Sequence, residues 1–118
     1  MERQYVGIDL HRRRSVIVRT DAAGEVLEEV RIDNDPLRLM DEIAKAGPSP
    51  EVALEATYGW YWAADVLAEC GARAHLAHPL AIKAFENRRV KNDRLDATLL
   101  AELLRMGRLP EGVRGIAP

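Results

Sequence analysis

Apolar and polar residues alternate in short runs over the first part of the chain and then take up a helical spacing. Tyr5-Val6-Gly7-Ile8-Asp9-Leu10 is an apolar run holding a glycine and an aspartate, and Ser15 to Thr20 alternates through Val16 and Val18. Both patterns predict strands. Asp21-Ala22-Ala23-Gly24 has turn chemistry, and Val26, Val30 and Ile32 beyond it predict one face of a third strand, completing a meander. Pro36, after Asn34-Asp35, starts a helix in which Leu37, Met40, Ile43 and Ala44 share a face, and Gly47-Pro48 ends it.

Glu51 to Ala56 reads as a brief buried strand ending in Glu55. Tyr58-Gly59-Trp60 leads into a helix that turns Trp62, Val66 and Leu67 toward a core and closes at Gly71. Arg73 to Leu76 is a further strand, Pro79 opens a short helical stretch with Ile82 and Phe85, and Glu86-Asn87-Arg88-Arg89 is a polar link. The last helix runs from about Asp93 to Arg105. The order βββαβαβα predicts an α/β fold, a mixed sheet flanked by helices. Gly107 to Pro118, rich in Gly and Pro, predicts a linker after a domain of residues 1–106.

Composition narrows the class. With 118 residues and 47% hydrophobic content the chain suits one globular domain and not a disordered tail. No apolar run reaches the roughly 18 residues of a bilayer span, and the start MERQYVGIDL enters a strand without a signal peptide, so a cytoplasmic protein with no membrane partner is expected. The single cysteine, Cys70, has no internal disulfide partner. A net charge of -2 conceals blocks: residues 1–20 carry +3, residues 21–55 carry -7 and residues 83–108 carry +3. Basic ends suit a polyanionic partner, although a mixed solvated surface gives the same counts.

The candidate chemistry lies in carboxylates where apolar residues are expected. In Lys91-Asn92-Asp93-Arg94-Leu95-Asp96-Ala97 the helical period puts Asp93 and Asp96 among Leu99, Leu100, Leu103 and Leu104, with Arg94, Thr98, Ala101 and Arg105 opposite. Helix capping, with Asp93 as cap and Asp96 three residues on, is the other reading. Asp9 sits near the end of a central strand and Glu55 ends another, positions where a carboxylate is costly unless paired or coordinated. If the four acids converge they need cations, and hard divalent ions such as Mg²⁺ or Mn²⁺ take oxygen ligands and promote phosphodiester cleavage.

Gly7-Ile8-Asp9-Leu10-His11, Leu54-Glu55-Ala56-Thr57-Tyr58-Gly59 and Lys91 to Ala97 resemble the successive motifs of the DEDD-type transposases of the insertion sequence 110 family, which includes the Piv-type DNA invertases. The resemblance spans nearly the whole chain. It implies an N-terminal domain similar to the RuvC Holliday-junction resolvase, ribonuclease H-like in fold, with Asp9, Glu55, Asp93 and Asp96 as the catalytic acids that bind Mg²⁺ or Mn²⁺. It also implies DNA as substrate, a structured guide RNA, a dimer, and a C-terminal transposase domain with a nucleophilic serine that this chain does not include. Asn92 stands where the family pattern suggests Thr, and His78 where it suggests Asn. The serines present, Ser15 and Ser49, lack the neighbours of an activated nucleophile.

The basic residues Arg12, Arg13, Arg14, Lys83, Arg88, Arg89, Lys91 and Arg94 are the candidate nucleic-acid contacts. His75 and His78 have no third ligand in sequence and read as structural, whereas His11 lies two residues past Asp9 and reads as close to the site. Of the aromatic cluster Tyr58, Trp60, Tyr61 and Trp62, Trp62 is expected in the core and Tyr58 nearer the site. An ATPase of the actin and sugar-kinase type also opens on a strand ending in Asp, but it needs glycines after the acid, where this chain has Leu10-His11-Arg12-Arg13-Arg14. The closer rival is a noncatalytic domain that binds RNA or DNA and dimerises.

Overall fold

A computed structural model describes residues 3–57, 59–78 and 96–111. The described elements are strands β1 (Tyr5–Leu10), β2 (Arg14–Thr20) and β3 (Val26–Asp33), helix α1 (Pro36–Ala44), strand β4 (Glu51–Glu55), helix α2 (Tyr61–Glu69), strand β5 (Arg73–Ala77) and helix α3 (Ala97–Arg105). This is the βββαβαβα order that the sequence pattern predicts. The stretch expected to be helical after Pro79, and the polar link behind it, lie outside the described residues.

The strands form one mixed sheet in the order β3-β2-β1-β4-β5. β1 pairs antiparallel with β2, β2 antiparallel with β3, β1 parallel with β4, and β4 parallel with β5. β1 is therefore central, and its alternation separates two cores. Val6, Ile8 and Leu10 pack with Leu39 and Ile43 of α1 and with Ala63, Val66 and Leu67 of α2. On the opposite face Ala53 and Ala77 pack against Leu100, Leu103 and Leu104 of α3. Helices thus cover both faces, as a sheet with parallel central strands requires.

α3 owes its position to Gly7. A Cβ built there would meet the Ala97 carbonyl oxygen at 2.0 Å and the Ala101 nitrogen at 2.8 Å, so only a residue without a side chain admits the helix backbone. The same approach corrects the expected facing of α3, because Ala101, expected on the polar side, is fully buried. A small residue lies on the contact face because backbone meets backbone there.

α1 is rotated from the expected face. Asp35 caps it, accepting from the Leu37 nitrogen at 3.1 Å, and Pro36 follows at the first turn. Leu37 is 69% exposed while Leu39, Ile43 and the carboxylate residue Glu42 are buried. Arg38 Nη1 and Lys45 Nζ donate to Glu42 Oε2 at 2.6 and 3.1 Å. Val26 also leaves its expected face and is exposed, because the β2–β3 register shifts between Arg19 and Thr20. The segment after α3 passes beside the end of β5, with Leu109 packed on the α3 core and the His78 nitrogen donating to the Pro110 oxygen at 3.1 Å. No helix among the described residues is long and apolar enough to cross a membrane.

Two outcomes follow. Gly7→Ala should lower the unfolding free energy by about 2–3 kcal/mol in urea denaturation, since neither backbone can yield without displacing α3; an unchanged midpoint would refute the close approach. Burial opposes the charge on Glu42, but the hydrogen bonds from Arg38 and Lys45 outweigh it and hold the carboxyl below its ordinary value. A depressed folded-state value stabilises above the unfolded value and is lost as pH falls through the folded one. Glu42→Gln should therefore be less stable than wild type at neutral pH, and thermal melts should show the difference closing at acid pH.

Candidate functional site

The candidate site lies at the carboxyl-terminal ends of the parallel strands β1 and β4. Ile8 and Leu54 are the last paired residues of β1 and β4, so Asp9 and Glu55 each stand one residue past that pair on adjacent strands. Residues alternate faces along a strand, and Gly7 and Ala53 both belong to the α3 side. Asp9 and Glu55, two residues further along each strand, share it. Both are shielded: the Asp9 side chain is 14% exposed and Glu55 is buried.

His11 Nε2 lies 3.2 Å from Asp9 Oδ2. Asp96 lies on the same side, directly before the α3 residue that touches Gly7. Its place differs from the expected one. Asp96 precedes the helix in extended backbone and is exposed, and its Oδ1 accepts from the Leu99 nitrogen at 2.8 Å. It is therefore the N-cap of α3 and not a member of its apolar stripe, because a residue that caps in extended backbone cannot also continue the helix. The cap role expected for Asp93 falls to Asp96.

Asp93 lies outside the described residues, as do Tyr58, Lys83, Arg88, Arg89, Lys91 and Arg94. Among the described residues no group of three or more His, Cys, Asp or Glu is arranged to hold a metal ion. The described part of the site is thus two shielded carboxylates on neighbouring strands, a histidine on one of them, and a capping aspartate on the same side.

The turn between β1 and β2 brings exposed Arg12, Arg13 and Arg14 to this end of the sheet. Asn34, which sequence reasoning passed over, fixes that turn. Its Nδ2 donates to the oxygens of His11 and Arg12 at 2.7 and 3.2 Å, and its backbone nitrogen donates to the Arg13 oxygen at 2.8 Å. Ser15, fully buried, donates to Asn34 Oδ1 at 2.7 Å, so its hydroxyl is structural. Only the position of Asn34 just before a helix cap hinted at this role.

The remaining candidates are structural. His75 Nε2 lies 2.6 Å from Glu51 Oε1 and its Nδ1 lies 3.2 Å from Glu111 Oε2. Arg3 and Arg73 reach Glu51 Oε2 at 2.6 and 3.3 Å. This network closes the opposite end of β4 and ties the segment after α3 to the sheet. Ser49 is exposed, and Trp60 and Trp62 pack at the edge of the core with α2. Trp60 stacks on the exposed Tyr61 ring, with centroids 4.1 Å apart. Burial pushes the Cys70 thiol above its ordinary value, with the Glu69 charge adding to it, which favours the protonated form.

The sequence profile of the DEDD transposases of the insertion sequence 110 type, described as a transposase, matches residues 6–115. No curated protein matches the chain. Among solved structures it is similar to the ethanolamine utilization protein EutJ from Carboxydothermus hydrogenoformans, at 17% identity over 72% of this chain and 40% of that one, with a TM-score of 0.44. It is also similar to a ROK family transcriptional regulator described as a homolog of the E. coli MLC protein, at 16% identity over 72% of this chain and 30% of that one, with a TM-score of 0.46. The chain spans less than half the length of either structure.

The cap geometry can be tested apart from any chemistry. Asp96→Ala should cost about 1 kcal/mol of stability, the usual loss for an N-cap, whereas Asp96→Asn should cost little because asparagine caps equally well. Equal losses in both variants, measured by chemical denaturation, would contradict capping by Asp96.

Proposed function

The chain belongs to the DEDD transposase family of the insertion sequence 110 type, and from that premise we propose that it is the ribonuclease H-like, metal-dependent domain of a DNA transposase. The reading rests on one observation: Asp9, next to the end of β1, and Glu55, at the end of the parallel strand β4, share the face on which Asp96 opens α3. A meander extended by two parallel strands beside its first strand supports the ribonuclease H-like assignment. Asp9, Glu55, Asp93 and Asp96 are the carboxylates that would hold Mg²⁺ or Mn²⁺.

Asp9 and Glu55 suit such an ion in donor chemistry, being hard oxygen donors shielded from bulk water on one face. When bound, the metal supplies positive charge to the scissile phosphate and lowers the cost of forming the attacking oxygen nucleophile. The protein residues do the positioning. His11 would orient the Asp9 carboxylate, and Asp96 would enter the site from the N-terminal end of a helix fixed against β1. Arg12, Arg13 and Arg14 neutralise the DNA backbone beside the acids. In the complete protein this domain would act with a C-terminal transposase domain, as a dimer and with a structured guide RNA.

Crystals soaked in Mn²⁺ should show an anomalous peak bounded by Asp9, Glu55, Asp93 and Asp96, with oxygens at roughly 2.2 Å. Asp96→Asn, which keeps the cap, should remove or weaken that peak and leave DNA binding in place. A peak elsewhere, or none in crystals with the four acids dispersed, would overturn the metal-site reading in favour of a noncatalytic nucleic-acid-binding domain.

A further inference from the structure

We propose that Arg31 is a further substrate-positioning residue of this site, carrying a phosphate of the bound nucleic-acid backbone two strands away from Asp9. The inference rests on the reading of the site given above and adds a residue and a direction to it.

The register places Arg31 in the row of the site. Asp9 pairs with Val16 across β1 and β2, and Val16 pairs with Arg31 across β2 and β3. Directly paired residues share a face, so Asp9, Val16 and Arg31 form one row on the α3 side of the sheet. Two strand spacings separate its ends by about 10 Å. The irregularity in the β2–β3 pairing lies at Arg19 and Thr20, away from this row.

Charge pairing and position together set these arginines apart. Arg3, Arg19, Arg38, Arg73 and Arg105 each meet a carboxylate, the first four at 2.6, 2.7, 2.6 and 3.3 Å. Among the described residues Arg12, Arg13, Arg31 and Arg108 have no such partner, and Arg14 has only the exposed Asp33, at 3.7 Å. Arg108 lies beyond α3, whereas Arg12, Arg13, Arg14 and Arg31 gather at the β1–β2 turn and the adjoining part of β3. Arg14 and Arg31 also line a groove of about 410 Å³ at the edge of β3, whose other walls, Ile32, Asp33, Asp35 and Arg38, include residues on the α1 side of the sheet. The turn beside it is held by three hydrogen bonds from Asn34.

Guanidinium groups on a fixed backbone, left without carboxylate partners, suit phosphate oxygens by charge and by their planar donor geometry. The arrangement gives the substrate a direction. Its backbone runs from the acids at the end of β1, past the Arg12–Arg14 turn, and over β2 toward the free edge of β3.

The test is a salt titration of binding by the intact chain, using a DNA duplex of about 30 base pairs and, separately, a single-stranded RNA of equal length. With the nucleic acid that binds, Arg31→Ala should reduce the slope of log K against log salt by about 0.9 for duplex or about 0.7 for single strand, and weaken binding roughly fivefold to tenfold near 0.1 M salt. Arg31→Lys should keep the slope, and Arg108→Ala, an exposed arginine elsewhere, should change neither quantity. The probe whose slope falls identifies the source of the phosphate. If wild type binds and Arg31→Ala binds with the same slope and affinity, the Arg31 contact is overturned while the metal-site reading stands. Absence of salt-dependent binding to both probes overturns the contact too, and the Mn²⁺ soak still decides the metal site independently.

Discussion

At Gly7 a helix backbone meets a strand backbone with no side chain between them, and the Ala97 carbonyl stands where a Cβ would be. Packing at that distance tolerates no methyl group, so the strand fixes the helix along and across its axis. The residue before Ala97 is Asp96, and two residues beyond Gly7, on the same face of β1, is Asp9. Acids separated by most of the chain are therefore put on one side of the sheet by one glycine. A larger residue at position 7 would push α3 off the sheet and carry Asp96 away with it.

The two faces of the sheet divide the work. Val6, Ile8 and Leu10 anchor β1 in the core beneath α1 and α2, where much of the aliphatic volume lies. That core holds the central strand in place while its other face carries Tyr5, Gly7 and Asp9, a set that alone would bury little apolar surface. A carboxylate on a central strand is tolerable under this division. It sits at the strand end, where the parallel strands open and the helix that covers them is only beginning.

The elements were legible because their periods were clean: all five strands, α1 and α2 stand within a few residues of where the apolar spacing puts them. The errors arise where a local rule met a tertiary contact. Ala101 looks polar-side by helical angle, yet it is buried because α3 touches β1 through small residues. Leu37 fits an apolar stripe but is exposed, since the cap at Asp35 sets the helix phase and Arg38 and Lys45 make Glu42 the buried member. Asp96 fits the stripe of α3 by angle, yet its carboxylate captures the Leu99 nitrogen and ends the helix there. Arg31 carries no signal along the chain, and Asn34 carries only its place before a helix cap. Only pairing across β2 brings Arg31 into the row of Asp9, and only the turn of the meander brings Asn34 to His11, Arg12 and Arg13.

Capping and metal binding are not competing roles for Asp96. A carboxylate has two oxygens and room for about four donors or ligands, and the cap uses Oδ1 for one hydrogen bond. The position itself favours the charge, because the first turn of α3 presents backbone N–H groups and the positive end of the helix dipole to it. In a site assembled from several acids, mutual repulsion raises the cost of keeping each one ionised. An aspartate at a helix N-terminus offsets part of that cost before any cation arrives. Capping therefore fixes one oxygen of Asp96 at the end of α3 and leaves the other for the proposed site.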